Sequence, residues 1–318
     1  MPRMLPDERR LGAHLPLAAG MVKAVDRARS IGADTLQIFT DNPTAWRRRS
    51  EPPRELDRFR DRLRESRIEP VAIHAPYLIN LAGADDDFYG RSIELLAHEM
   101  RIAPTFGARF VNVHIGSHGD AGVETGIRRL ADGVSRALSQ TDDSPDAPML
   151  VLENSAGSGF GLGVDVIELA AIADALDERG VARHRVGFCL DVAHAWGAGI
   201  DWHSAEATDS FLGAFDELIG LDRLVLVHLN DSRSDLGSRL DRHEHVGAGR
   251  IGPEAIARLL RHRALRRATY ILETPGMDVG YDAINIARAR ALAAGRPLDR
   301  LPPEAFTLRG SRARMAPA

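Results

Sequence analysis

Along the chain, short unbroken apolar runs alternate with longer amphipathic stretches. Residues 11–15 form a short run closed by a turn, and residues 20–32 (GMVKAVDRARSIG) place apolar side chains at helical spacing. Residues 35–39 (TLQIF) read as a strand, and 54–67 as a polar helix with Leu56, Phe59 and Leu63 on one face. Further strands are expected at 71–73, 110–113, 149–152, 186–190, 224–227 and 270–272. Helices are expected at about 87–106, 124–138, 165–179, 206–219, 253–262 and 278–294, with Asp165 as an N-cap and Pro253 in a first turn. Continuous apolar strands are buried on both faces and belong to a parallel sheet. Eight strand-then-helix units predict an α/β chain folded as one (β/α)8 TIM barrel. The alternative, an open doubly wound sheet, would carry a glycine-rich phosphate loop after its first strand, and no GxGxxG stands there. The barrel is expected over 11–294, behind an N-terminal extension, 1–10. A Pro/Arg-rich tail, 295–318, is expected to be loosely packed or disordered.

Composition narrows the class without naming a function. With 44% hydrophobic and 27% charged residues, the 318-residue chain has ample material for a core. The formal net charge of -4, from 41 basic and 45 acidic residues, argues against binding polyanions by bulk charge but permits a local basic patch. One cysteine, Cys189, excludes an internal disulfide and fits a reducing compartment. It lies inside a predicted strand, where a packed core thiol is expected. The N-terminus lacks the apolar core of a signal peptide, and no run reaches membrane-spanning length, so a cytoplasmic protein with no membrane partner is expected.

The chemistry lies where the strands stop. The third to the eighth predicted strands end in His74, His114, Glu153, Asp191, His228 and Glu273. In a barrel these ends converge on one face. His194 follows Asp191 in LDVAHAWG, and Asp241 and His243 form an Asp-x-His pair in the loop after His228. A lone strand-end histidine is more often a hydrogen-bonded rim residue than a ligand. The set is what points to metal, because clustered carboxylates and imidazoles are costly to bury unless paired or metal-bound. Nine candidate ligands exceed the needs of one tetrahedral ion, so two or three ions are expected. Nitrogen and carboxylate donors without thiolate favour zinc, with manganese as a substitute. Such a cluster suits phosphodiester hydrolysis.

The stretches HAPYLINL, NVHIGSH, LENSAGSG, GFCLDVAHAWGAG, HLNDSRSDLGSRLDRHEHVGAGRIG and ILETPG resemble those of the endonuclease IV family of apurinic/apyrimidinic endonucleases, over residues 11 to about 292. The family's nine metal-ligand positions match in identity and order. The resemblance implies a barrel of the xylose isomerase-like superfamily holding three zinc ions. His74, His114 and Glu153 would hold the first. Glu153 would bridge to a second, shared with Asp191, His228 and Glu273. His194, Asp241 and His243 would hold the third. It implies that a hydroxide bridging the first two ions attacks duplex DNA 5′ to an abasic site. The products would be a 3′-hydroxyl and a 5′-deoxyribose phosphate, as in base excision repair. Glu153 and Glu273 would then be catalytic as well as ligating, with His14 a further candidate for orienting a phosphate or a ligand.

For DNA contacts, the resemblance implies that Tyr77 and Leu78, with Asn80 in the same loop, push into the duplex; a second loop, TDNPTAWRRRS, offers Trp46, Arg47, Arg48 and Arg49. His118 and His245 are expected near the barrel mouth without a metal role. Two departures stand out. Pro16 and Leu17 occupy a first turn that is serine-alanine-glycine-glycine-like in the family. Thr44 and Ala45 stand where an arginine and a glutamine often fill the gap left by the flipped nucleotide. A monomer is expected. Two other readings fit the same barrel: a sugar isomerase or epimerase using one or two ions, and a DNA-lesion binding protein that does not cut.

Overall fold

The computed structural model describes residues 5–49 and 51–308. Each of the eight apolar runs forms a strand: β1 (Leu11–His14), β2 (Thr35–Ile38), β3 (Val71–His74), β4 (Ala108–His114), β5 (Met149–Glu153), β6 (Val186–Asp191), β7 (Leu224–His228) and β10 (Thr269–Leu272). They close into a parallel barrel in the order β1-β10-β7-β6-β5-β4-β3-β2. Two-residue strands β8 (Asp231–Ser232) and β9 (His243–Glu244) pair antiparallel in the loop after β7.

The parallel ladder sets functional side chains next to one another. Its register pairs His14 with Gln37, His74 with Asn112, His114 with Glu153, and Asp191 with His228. Beneath them the interior is filled by Ala72, Phe110, Val151, Cys189, Leu226 and Ile271, one from each of six strands. Cys189 is a buried free thiol, and burial pushes its pKa up to about 12. This apolar plug closes the barrel below the strand ends, so the mouth is the side on which polar groups gather.

Outside the barrel run α1 (Met21–Ser30), α2 (Leu56–Ser66), α3 (Asp86–Ile102), α4 (Val123–Leu138), α5 (Val166–Glu178), α7 (Ala205–Leu218), α8 (Gly252–Arg261) and α9 (Tyr281–Ala293). Asp165 caps α5, accepting from the Glu168 N–H as its position predicts. The helices bury one face each against the strands in a single outer core. None is long and apolar enough to cross a membrane.

Three features depart from expectation. A short helix, α6 (Val192–Ala198), begins directly at Asp191, whose carboxylate accepts the His194 N–H. The last helix starts at Tyr281 rather than 278, after a 3-10 turn at Met277–Val279. The tail is docked as far as Leu308. Leu301 and Ala305 are buried, Arg288 donates to the Asp299 carbonyl at 2.6 Å, and the Ala305 carbonyl lies 3.0 Å from His245 Nε2. The tail is rich in proline and arginine, yet it packs through Leu298, Leu301 and Ala305, and its main-chain carbonyls are bonded by Arg233, His245 and Arg288. Residues 309–318 of the expected tail lie outside the described residues.

Candidate metal centre

The strand ends deliver their side chains to one buried cluster at the mouth. His74, Asp191, His194, His228 and Glu153 are buried, Glu273 and His243 nearly so, and His114 is partly exposed. Ligand-type atoms fall into three groups within 4.8 Å: His74, His114 and Glu153; Glu153, Asp191, His228 and Glu273; and Asp191, His194 and His243. Glu153 is common to the first two. Asp191 is common to the last two, its Oδ2 lying 3.9 Å from His228 Nδ1 and 3.4 Å from His243 Nε2. Asp241 reaches the third group from the loop, 3.2 Å from both His194 Nε2 and His243 Nε2.

The far side of four of the five rings is engaged, which fixes which of their nitrogens faces the centre. His74 Nδ1 lies 2.7 Å from the Ala75 carbonyl, His194 Nδ1 2.9 Å from that of Asn154, and His243 Nδ1 3.0 Å from that of Glu273. His228 is reversed, with its Nε2 3.1 Å from Gln37 Oε1. The facing atoms are His74 Nε2, His194 Nε2, His228 Nδ1, His243 Nε2 and Glu153 Oε1. They are buried without a hydrogen-bond partner among the described residues. Leaving five such atoms unsatisfied in an apolar interior is costly. Cations placed among them would satisfy all five, so the donor set fits metal ions.

Electrostatics agree. Burial pushes the Glu153 carboxyl up, but the adjacent His228 and His114 rings outweigh it and hold the carboxyl well below its usual range. Burial acts on Asp191 in the same sense, yet His194 and His243 hold it at about 2. Desolvation of Glu273 is likewise outweighed, mainly by His228, and its carboxyl is lowered. Conversely, burial lowers His243 while Asp191 more than compensates, raising it to about 9. The site keeps carboxylates ionised at depth, as a binder of divalent cations must.

Four residues around the cluster escaped the sequence reading. Gln37 donates to Glu273 Oε1 at 2.8 Å, accepts at His228, and lies 3.1 Å from His14 Nδ1. Asn112 donates to Glu153 Oε2 at 2.6 Å. Asn154 accepts the Asp191 N–H at 2.6 Å, and Asn230 donates to Asp191 Oδ2 at 2.9 Å. The three asparagines had a signal, since each lies within two residues of a ligand, in NVH, LEN and HLN. Gln37 had only its lone polarity inside TLQI.

His14 sits beside the cluster, 3.1 Å from Glu273 Oε1, and burial lowers its pKa. His245 is turned away: Asn285 and the Ala305 carbonyl engage its two nitrogens, so it anchors the tail. His118 lies against Phe160, with ring centroids 5.6 Å apart.

The residues expected to contact DNA differ in how far they are already engaged within the chain. Tyr77 is half-buried over the cluster, its ring 5.4 Å from that of His74 and 5.8 Å from that of His114, and Leu78 is beside it. Asn80 does not point outward. Its amide oxygen accepts from the N–H groups of Ala82, Gly83 and Ser117, and its amide donates to the Ser117 carbonyl at 3.0 Å. Trp46 is likewise committed, its ring against Phe88 and under the Arg91 guanidinium at 4.1 Å. Of the three arginines, Arg48 packs inward over buried Glu99 at 3.9 Å, and Arg49 pairs with Asp41 at 3.3 Å. Arg47 is exposed. Thr44 is held locally, donating to Asn42 Oδ1 at 2.8 Å.

Comparison with known proteins agrees with the architecture. A family model described as a xylose isomerase-like TIM barrel matches residues 25–298. A probable endonuclease 4 of Methanoculleus marisnigri is 42% identical over 283 residues, 89% of this chain and 98% of the relative. The crystal structure of endonuclease IV from Thermus thermophilus superposes with a TM-score of 0.77 at 36% identity, covering 90% of this chain and 99% of that one. A D-tagatose 3-epimerase-like protein superposes at 0.66 with 16% identity, covering 90% and 97%, which is a likeness of fold alone.

Proposed function

From its place in the endonuclease IV family, to which the chain belongs, we propose that it cuts duplex DNA on the 5′ side of abasic sites for base excision repair. The cut would leave a 3′-hydroxyl and a 5′-deoxyribose phosphate. The observation that carries the proposal is the set of five buried ligand-type atoms that face carboxylates and one another without a hydrogen bond, on side chains whose other ends are fixed. Three zinc ions, or manganese as a substitute, suit this set. His74, His114 and Glu153 would hold one, Glu153, Asp191, His228 and Glu273 the second, and His194, Asp241 and His243 the third, with Asp191 in reach. Bound there, the ions would supply an acidified water as nucleophile and positive charge for the phosphate and its departing 3′ oxygen.

The chain's own groups do the rest. Glu153 and Glu273 hold negative charge at the reaction centre. His14, with Nδ1 3.1 Å from Glu273 Oε1, is placed to orient that carboxylate. Tyr77 and Leu78 exclude water by entering the gap in the stack, and exposed Arg47 holds the backbone.

The test pairs metal counting with cleavage of a duplex carrying one abasic analogue. Three ions per chain and a single 5′ cut are expected, and Glu153→Ala or Glu273→Gln should abolish cutting. One ion per chain without cleavage would favour a sugar isomerase or epimerase. Tight lesion binding without cutting in the presence of zinc would favour a non-catalytic lesion binder.

A further inference from the structure

On the β5–α5 loop, which follows the strand ending in Glu153, Phe160 stands 60% exposed. Its backbone has φ +64°, in the left-handed region that bulky L-residues rarely adopt, and Gly159 before it has φ +58°. The neighbouring loop imposes this conformation. Ser117 Oγ donates to the Gly159 carbonyl, the His118 N–H to the Phe160 carbonyl at 3.1 Å, and the Leu162 N–H to that of Gly116 at 2.9 Å. Ser117 is in turn held by Asn80, from the loop that carries Tyr77 and Leu78. Gly116 completes the fastening: its φ is +102°, and a Cβ there would collide with Asn80 Oδ1. Three loops at the mouth are thus fastened together, one carrying Tyr77 and Leu78 and another carrying Phe160. The tilted His118 ring packs against Phe160. A chain that accepts backbone strain to hold an aromatic ring in solvent, on a loop fastened to the one over the cluster, is presenting that ring to a ligand.

We propose that Phe160 is a substrate contact, an aromatic platform that packs on the sugar and base surface of the DNA strand beside the lesion. This rests on the proposed action on abasic duplexes. The contact is apolar, so it adds affinity without displacing counterions, in contrast to Arg47. Base–aromatic contacts removed to alanine weaken binding by roughly 5-fold to 100-fold.

The experiment uses the metal-loaded full chain and a duplex with one tetrahydrofuran abasic analogue. Phe160→Gly removes the ring and the strain together. It should raise Kd and KM at least about 5-fold, leave kcat nearly unchanged, and leave the thermal midpoint unchanged or higher. Phe160→Tyr should restore binding. The slope of log affinity against log salt should be unchanged in Phe160→Gly, whereas Arg47→Ala should lower it by about one. Wild-type affinity in Phe160→Gly would overturn the proposal, as would a drop in salt slope equal to that of Arg47→Ala. Failure of the wild-type chain to bind or cut the duplex would overturn both this inference and the functional reading beneath it. Wild-type cutting together with an indifferent Phe160→Gly would overturn this inference alone.

Discussion

Gln37 ties three site side chains together through one amide, giving a hydrogen bond to Glu273, taking one at His228 and lying against His14. It fixes the tautomer that leaves His228 Nδ1 facing the carboxylates. Replacing it with leucine keeps the volume and removes the bonds. Gln37→Leu should reduce metal affinity or cleavage by about 10-fold to 100-fold while the barrel stays folded; metal content after dialysis and single-turnover cleavage measure this, and wild-type values in both would refute the assigned role. At this scale the ligands were legible because each ends an otherwise apolar strand, where polarity is conspicuous. Gln37 was not, because a single polar residue inside TLQI reads equally well as a tolerated core amide. Asn80 and Trp46 mislead for a different reason. Residue type advertises contact with DNA, but only coordinates show that the amide and the ring are already occupied.

The element that brings in Asp241 and His243 hangs on another carboxylate. Asp231, in β8, is buried and accepts N–H groups from Ser232, Gly249, Ile251 and Gly252, so it folds the loop back onto the start of α8. Burial raises its pKa, and these four N–H donors pull the other way. Asp231→Ala should therefore cost about 3 kcal/mol or more, as several charge-assisted bonds go at once. It should also release an ion from the His194, Asp241 and His243 group while leaving every ligand in place. Thermal unfolding with metal counting would show both losses; full metal content would mean that the loop is positioned by other contacts. The eight strands and their helices were readable from periodicity. Helix α6 and the β8–β9 pair were not, since seven-residue and two-residue elements are too short to show a period.

For the whole molecule, the cluster is both a site and a joint. Side chains from five barrel strands, from the residue after β10, from α6 and from the loop after β7 meet in it, so ions there would cross-link the mouth. Brief exposure to EDTA should leave bound ions in place, because each would lie among largely buried ligands that other groups hold. Prolonged chelation should remove them and lower the thermal midpoint by roughly 10 °C or more. Calorimetry before and after chelation checks this, and rapid stripping would show an open centre. The docking of 296–308 belongs to this scale too. Its composition reads as a loose tail because nothing local reveals that His245 and Arg288 wait to receive it.

The hydrogen-bond register of the barrel has a consequence for divergence among its relatives. Adjacent strands lie about 4.8 Å apart, and the ladder sets Glu153 beside His114 and His228 beside Asp191. The separation of reactive groups is therefore gauged by main chain, which no single side-chain change alters. The loops proposed to meet DNA grow from the ends of that gauge and take no part in it. Lesion preference can drift by exchange of the β2–α2 or β5–α5 loop while the reaction chemistry is inherited intact, so chimaeras that swap these loops should be tolerated where swaps of strands are not.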